Sequence, residues 1–226
     1  MIRLLIADDE PLVRFGLRTL LDAVDDIHVV GEAADGAQAV ARTRELVPDV
    51  VITDLRMPGM DGLAATRRLR EMPNPPAILV LTTFDTSEGV TDSLTAGADG
   101  YLLKDAPPER ILHAIRMVAS GGIALAPTAA SHLVKATPRR TDPAVKLPLE
   151  LRRALAHLTD RQREVLTLVG QGLSNADIAR RMHLTEGTVR SYVSRLLATL
   201  GLTNRTQAAI LAHRAGLLDE QRTAGR

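Results

Sequence analysis

Short aliphatic runs alternate with amphipathic stretches along the first 120 residues. The runs Leu4 to Ala7, Ile27 to Val30, Val50 to Thr53, Ile78 to Leu81 and Tyr101 to Leu103 hold adjacent apolar residues without period-2 alternation. Strands of a parallel sheet covered on both faces look like this. Between them apolar side chains recur at helical spacing: Leu12, Phe15, Gly16 and Leu20; Ala37, Val40, Ala41 and Leu46; Leu63, Thr66 and Leu69; Val90 and Leu94; Ile111, Leu112, Ile115 and Val118. Strict alternation of strand and helix predicts a doubly wound α/β domain with a five-stranded parallel sheet.

The pattern breaks at Gly121. Prolines at 127, 138, 143 and 148 and the basic pair Arg139 and Arg140 predict a short helix around Thr128 to Lys135 followed by a flexible tether. Beyond Leu149 the spacing is helical throughout. Thr159 to Gln162 has the spacing of a capping box and opens a helix to Gln171, where Gly172 offers a left-handed stop. Ser174 to Asp177 opens a shorter helix ending near Met182, and Thr185 caps a third with Val189, Val193, Leu196 and Leu200 as its inward stripe. A fourth runs from about Asn204 to Ala215. Two short helices joined by a tight turn make a helix-turn-helix. The expected organisation is therefore an α/β domain over 1–120, a linker over 121–150, an all-α domain over 151–218 and a tail over 219–226.

Composition sharpens the division. With 45% hydrophobic and 24% charged residues the chain is globular, and with no cysteine it has neither disulfides nor thiolate metal sites, which suits a reducing compartment. No apolar run reaches the roughly 20 residues of a membrane span, so a cytoplasmic protein is expected. The net charge of +1 conceals an asymmetry. Residues 1–120 hold 12 Lys+Arg against 19 Asp+Glu, whereas 151–226 hold 12 against 6, and all 12 are arginine. A small domain carrying forked guanidinium groups points to nucleic acid as a partner, and the helix-turn-helix makes double-stranded DNA the expected one.

Ligands of open parallel sheets bind beyond the carboxyl ends of the strands. The residues ending the apolar runs are Asp8, Asp9 and Glu10; Asp54; Thr82 and Thr83; and Lys104. Several carboxylates on one rim repel each other unless a hard cation neutralises them, and Mg²⁺ accepts carboxylates, a carbonyl and waters while leaving room for phosphate oxygens. A carboxylate can also attack phosphorus to give an acyl phosphate. Asp54, at the end of the most apolar strand, is the candidate nucleophile.

In DDE, DLRMPGMDG, LTTFD and AGADGYLLKD, in that order, residues 1 to about 120 resemble the receiver domain of two-component response regulators. The resemblance implies a CheY-like (flavodoxin-like) fold. It further implies Asp54 as the phospho-acceptor served by a sensor histidine kinase, Asp8 and Asp9 as the Mg²⁺ pair, and the Arg56 carbonyl as a further metal ligand. Lys104 would contact the phosphate, and Thr82 with Tyr101 would form the switch pair. Asp105 stands where many receivers have proline.

The stretch LTDRQREVLTLVGQGLSNADIARRMHLTEGTVRSYVSRLLATLGLTNRTQAAILAHRAGL is similar throughout to the LuxR-type helix-turn-helix, with Tyr192 where histidine is usual and Thr199 where lysine is usual. With Val189 and Val193 facing inward, Arg190, Ser191, Ser194 and Arg195 face out, as a helix in the major groove requires. Thr185, Thr188 and Arg205 are expected at the phosphate backbone. Together the two halves resemble a response regulator of the NarL/LuxR (FixJ) family, a transcription factor that forms a homodimer on activation. The rival class is a phosphatase of the haloacid dehalogenase type. Its paired aspartates stand one residue apart, with the nucleophile on the first strand, whereas Asp8 and Asp9 are adjacent. A regulator with an unphosphorylated receiver used only for dimerisation is the other alternative.

Overall fold

The computed structural model describes residues 1–84, 86–126, 129 and 147–218 and divides into two compact units. Apart from Ala129, the helix expected around Thr128 to Lys135 lies outside the described residues, and so does the tether after it up to residue 146.

The first unit is a parallel sheet in the order β2-β1-β3-β4-β5-β6. Its strands are β1 (Ile2–Ala7), β2 (Ile27–Ala33), β3 (Val50–Thr53), β4 (Ala77–Thr82), β5 (Gly100–Leu103) and β6 (Ala124–Leu125). The helices are α1 (Pro11–Asp22), α2 (Gly36–Leu46), α3 (Gly62–Arg70), α4 (Ser87–Ala96) and α5 (Pro108–Ala119). Successive side chains of a strand go to opposite faces. Leu4, Ile6, Ile52 and Leu79 accordingly pack with Leu17 and Leu21 of α1 and Ile111 and Ile115 of α5. Leu5, Val51 and Ile78 pack with Val40, Ala65 and Leu69 of α2 and α3, and Val80 and Tyr101 with Val90 and Leu94 of α4.

Three expectations are corrected here. The sheet has six strands rather than five: Ala124 and Leu125 pair with Gly100 and Tyr101, so it runs past residue 120. Two residues are too short a run for hydropathy to register. On α1 the buried residues are Leu17 and Leu21, whereas Leu12 and Phe15 are 80% and 67% exposed. Two apolar stripes lie on this helix at equally good spacing, and packing on the sheet selects the second. On α2 the buried face is Gly36, Ala39, Val40 and Thr43, which leaves Ala37 and Ala41 exposed.

The second unit contains α6 (Leu149–Ala156), α7 (Asp160–Gly170), α8 (Asn175–Met182), α9 (Glu186–Leu200) and α10 (Arg205–Arg214). Capping boxes start α7 at Thr159 with Gln162 and α8 at Ser174 with Asp177. Each box satisfies amides that a helix start leaves unpaired. His183, at φ 54°, makes the left-handed turn between α8 and α9. Val189, Val193, Leu196 and Leu200 join the core with Val165, Leu166, Ile178 and Leu211.

Candidate functional site

The sheet order reverses at β1, which lies between β2 and β3, and the register there sets the site. Ala7 pairs with Thr53, so the next residues, Asp8 and Asp54, leave the sheet side by side. Asp54 is tied down by its amide to the Ala7 carbonyl at 2.9 Å, and its Oδ1 accepts from the Leu55 amide at 2.6 Å. Lys104 follows β5, its amide on the Thr82 carbonyl at 2.8 Å. The strand ends thus bring the acidic residues and the lysine to one rim.

There Lys104 Nζ lies 2.8 Å from Asp8, 2.9 Å from Asp54 and 3.3 Å from Glu10. Both aspartates are buried, Asp8 at 2% exposure and Asp54 at 5%. Burial raises the Asp8 carboxyl above its ordinary value, although Lys104 and the Glu10 amide pull it back. Burial also works against the Lys104 charge, but the hydrogen bonds to Asp8 and Asp54 and their negative charges together hold its pKa above the ordinary one. The ammonium is therefore a fixed positive charge.

Carboxylate oxygens of Asp8, Glu10 and Asp54 lie within 4.8 Å of one another, an oxygen-only set that can hold a hard metal ion. Sequence reasoning named Asp9 beside Asp8. Asp9 is exposed and lines a neighbouring cleft with Leu55, Arg56, Phe84 and Glu88, whereas Glu10 joins the group. The Glu10 amide bonds Asp8 Oδ1 at 3.0 Å, and this turn brings Glu10 back over the site.

The residues expected to form the switch pair are close by. Thr82 is fully buried and its Oγ1 accepts from the Phe84 amide at 3.4 Å. Tyr101 is fully buried, and its hydroxyl donates to the Phe84 carbonyl at 2.5 Å. The Arg56 guanidinium lies 4.3 Å from the centre of the Phe84 ring. Phe84 was not singled out from sequence, and nothing in its local pattern marks it. Gly62 is another such residue: a Cβ there would stand 1.9 Å from the Asp54 carbonyl oxygen, so only glycine lets α3 start against the Asp54 backbone.

In the helical unit the Thr185 hydroxyl caps α9 by accepting from the Thr188 amide at 3.2 Å, and the two threonine hydroxyls lie 2.8 Å apart. Arg190, Ser191, Ser194 and Arg195 are all exposed on one side of α9, as expected. Arg190 lies 3.6 Å from Glu186 in an exposed pair that leaves the guanidinium free to exchange partners. Arg205 departs from expectation. It is 5% exposed, with one arm on Asn175 Oδ1 at 2.7 Å and another on the Leu173 carbonyl, so it ties α10 to the start of α8 and presents little surface to a phosphate.

A parallel α/β domain with a lysine-bridged acidic rim, joined to a helix-turn-helix, defines a signal-receiving DNA-binding protein. Residues 4–116 match the response regulator receiver domain family, and residues 156–212 match the luxR family of bacterial regulatory proteins. The transcriptional regulatory protein LnrK of Bacillus subtilis is 37% identical over 96% of this chain and 99% of its own. The nitrate/nitrite response regulator NarL of Escherichia coli is 39% identical over 93% of this chain and 94% of its own. Among solved structures, the response regulator ChrA of a heme-sensing two-component system covers 96% of this chain and 98% of its own, at 38% identity and a TM-score of 0.52. A structure of two RcsB dimers on two parallel DNAs covers 92% of this chain and 96% of its own at 25% identity, TM-score 0.55. The chain belongs to the NarL/LuxR family of response regulators, which regulate transcription. None of its described helices is long and apolar enough to cross a membrane.

Proposed function

We propose that Asp54 accepts a phosphoryl group from a sensor histidine kinase, with Mg²⁺ at the acidic rim, and that the acyl phosphate favours a homodimer binding DNA through α9. One observation carries the reading: Asp54 is buried with its Oδ2 2.9 Å from Lys104 Nζ, inside a group of carboxylates that would repel each other without cationic partners. Asp8 and Asp54, with the Arg56 carbonyl, would hold Mg²⁺; Asp9 enters the ligand set by resemblance and Glu10 by geometry. When bound, Mg²⁺ supplies positive charge to the phosphoryl oxygens. An Asp54 carboxylate oxygen forms the new bond to phosphorus as the bond from phosphorus to the imidazole nitrogen breaks, its electron pair staying on the ring. Lys104 neutralises the charge gathered on the transferred group, and the Thr82 hydroxyl donates to one of its oxygens.

In the second unit Arg190, Ser191, Ser194 and Arg195 would face base edges while Thr185 and Thr188 hold the backbone. RcsB, whose dimers have been solved on DNA, supports the dimeric arrangement. Intact mass after incubation with acetyl phosphate and Mg²⁺ tests the reading. One phosphoryl adduct is expected on the wild type and none on Asp54→Asn, and an adduct that persists in the variant overturns it.

A further inference from the structure

The turn from β1 into α1 carries Asp8, Asp9 and Glu10, and α1 begins without help from a side-chain cap: its N-cap is Glu10, whose carboxylate makes no cap bond, and Pro11 follows. Three like charges on an uncapped turn should splay apart. One side chain closes it from behind. Arg14 donates from Nη1 to the Asp8 backbone carbonyl at 2.7 Å and from Nε to Glu32 on β2 at 3.3 Å. Glu32 is held in turn by Arg18 at 2.6 Å. The Arg14 side chain is 17% exposed, so the bracket is partly shielded from water. It fastens the backbone of the metal-site turn to the neighbouring strand, and it touches none of the Asp8, Glu10 or Asp54 carboxylates.

We propose that Arg14 is a positioning residue for the acidic site: by fixing the Asp8 carbonyl against Glu32 it holds the turn that aims Asp8 and Glu10 at Asp54, and so sets the affinity for the divalent cation. The inference rests on the assignment of that rim as the Mg²⁺ and phosphorylation site. Arg14 acts through geometry rather than through its charge. Its guanidinium bonds the Asp8 backbone carbonyl and Glu32 rather than a carboxylate of the rim. Lysine at position 14 keeps the charge but cannot reach the carbonyl and Glu32 together in a fork.

The test is titration calorimetry of the full-length protein with MgCl₂, without phosphodonor, on wild type, Arg14→Lys, Arg14→Ala and Glu32→Ala. Each variant should bind Mg²⁺ about tenfold more weakly, the low end of what outer partners of metal ligands cost when removed. Amide exchange at Asp9 and Glu10 should quicken in the metal-free variants. Phosphorylation by acetyl phosphate should need more Mg²⁺ for half-maximal rate and recover nearly the wild-type rate at saturation. Glu32→Ala leaves Arg14 in place and keeps the test open if Arg14→Ala folds poorly. Wild-type Mg²⁺ affinity in Arg14→Lys and Glu32→Ala, or variants that lose thermal stability alone, would overturn the positioning role while the site stands. A wild-type protein that binds no Mg²⁺ would overturn the site itself and the inference with it.

Discussion

The Tyr101 hydroxyl reaches the carbonyl of Phe84 at 2.5 Å, and the amide of the same residue is 3.4 Å from Thr82 Oγ1. Both members of the expected switch pair therefore hold one residue, whose ring lies under the Arg56 guanidinium. A Thr82 hydroxyl that turned to a phosphoryl oxygen would let go of the Phe84 amide, leaving Tyr101 and Arg56 to hold the segment. Tyr101→Phe keeps the buried ring and removes the donor, a loss of about 0.5–1.5 kcal/mol. Exchange of the Phe84 and Thr86 amides should quicken in Tyr101→Phe and in Arg56→Ala. Wild-type protection in both would show that neither side chain holds the segment.

Gly62 should not tolerate a methyl group. A Cβ 1.9 Å from the Asp54 carbonyl oxygen cannot be relieved by a side-chain rotation, because its neighbour is backbone. The Gly62 amide also donates to the Leu55 carbonyl at 2.9 Å, which pins the loop after β3. Gly62→Ala should therefore cost the first unit about 1–3 kcal/mol, as overpacking does, and slow phosphorylation of Asp54 by displacing its backbone. Urea denaturation and the rate of the mass shift with acetyl phosphate measure the two effects. Gly59→Ala is the contrast: nothing lies within 4 Å of its added Cβ, although its φ of 72° brings some backbone strain.

Acid should loosen the first unit through Glu32, and through Asp26 held by Arg116, and the second through Asp177. The Glu32 carboxyl is held below its ordinary value first by the Arg18 hydrogen bond and then, against the opposing effect of burial, by the charges of Arg18 and Arg14. Asp177 is lowered first by the Ser174 hydroxyl and then by the Ser174 amide and Arg180. A lowered carboxyl stabilises the fold above its unfolded value and loses that contribution as the pH falls through its folded value. Stability should thus decline below roughly pH 4, the ordinary carboxylate range. Glu32→Gln and Asp177→Asn should each make the decline shallower in urea titrations followed by circular dichroism. Unchanged slopes would place the acid sensitivity elsewhere.

The parts of this architecture that were legible in the sequence are those set by burial. Runs such as Val50 to Thr53 are apolar because both sheet faces are covered, and the residues just after them must lie on one rim whatever the helices do. Asp8, Asp54 and Lys104 follow from that alone. Asp9 and Glu10 do not, because beyond the last paired residue the strand's alternation no longer governs direction, and the turn bonded by the Glu10 amide decides which carboxylate faces in. Leu12 and Phe15 misled for a related reason: spacing identifies a stripe but not the surface it meets. Arg205 was hidden by its residue type, since arginine is seldom buried unless paired, and its partners Asn175 and Leu173 are 30 and 32 residues away.

That difference between arginines yields the sharpest test in the second unit. Arg190 is exposed one helical turn from Ser194 on the outward side of α9, near the end by which a helix enters the major groove. A guanidinium there can pair with a guanine through two hydrogen bonds worth about 1–3 kcal/mol of discrimination. Arg190→Ala should therefore melt at the wild-type temperature, bind its operator more weakly by that amount and lose preference at one base pair of each half-site. Arg205→Ala should behave in the opposite way. It leaves the Asn175 and Leu173 oxygens without their guanidinium inside the fold, and each buried acceptor stranded in this way costs about 1–3 kcal/mol. DNA binding should then fall with the folded fraction, equally on every operator variant, and should recover on cooling or with added osmolyte. If Arg205→Ala instead keeps its melting temperature and loses one unit of salt dependence, this arginine contacts phosphate in the complex. If Arg190→Ala weakens all single-base variants alike, sequence is read by other side chains on α9.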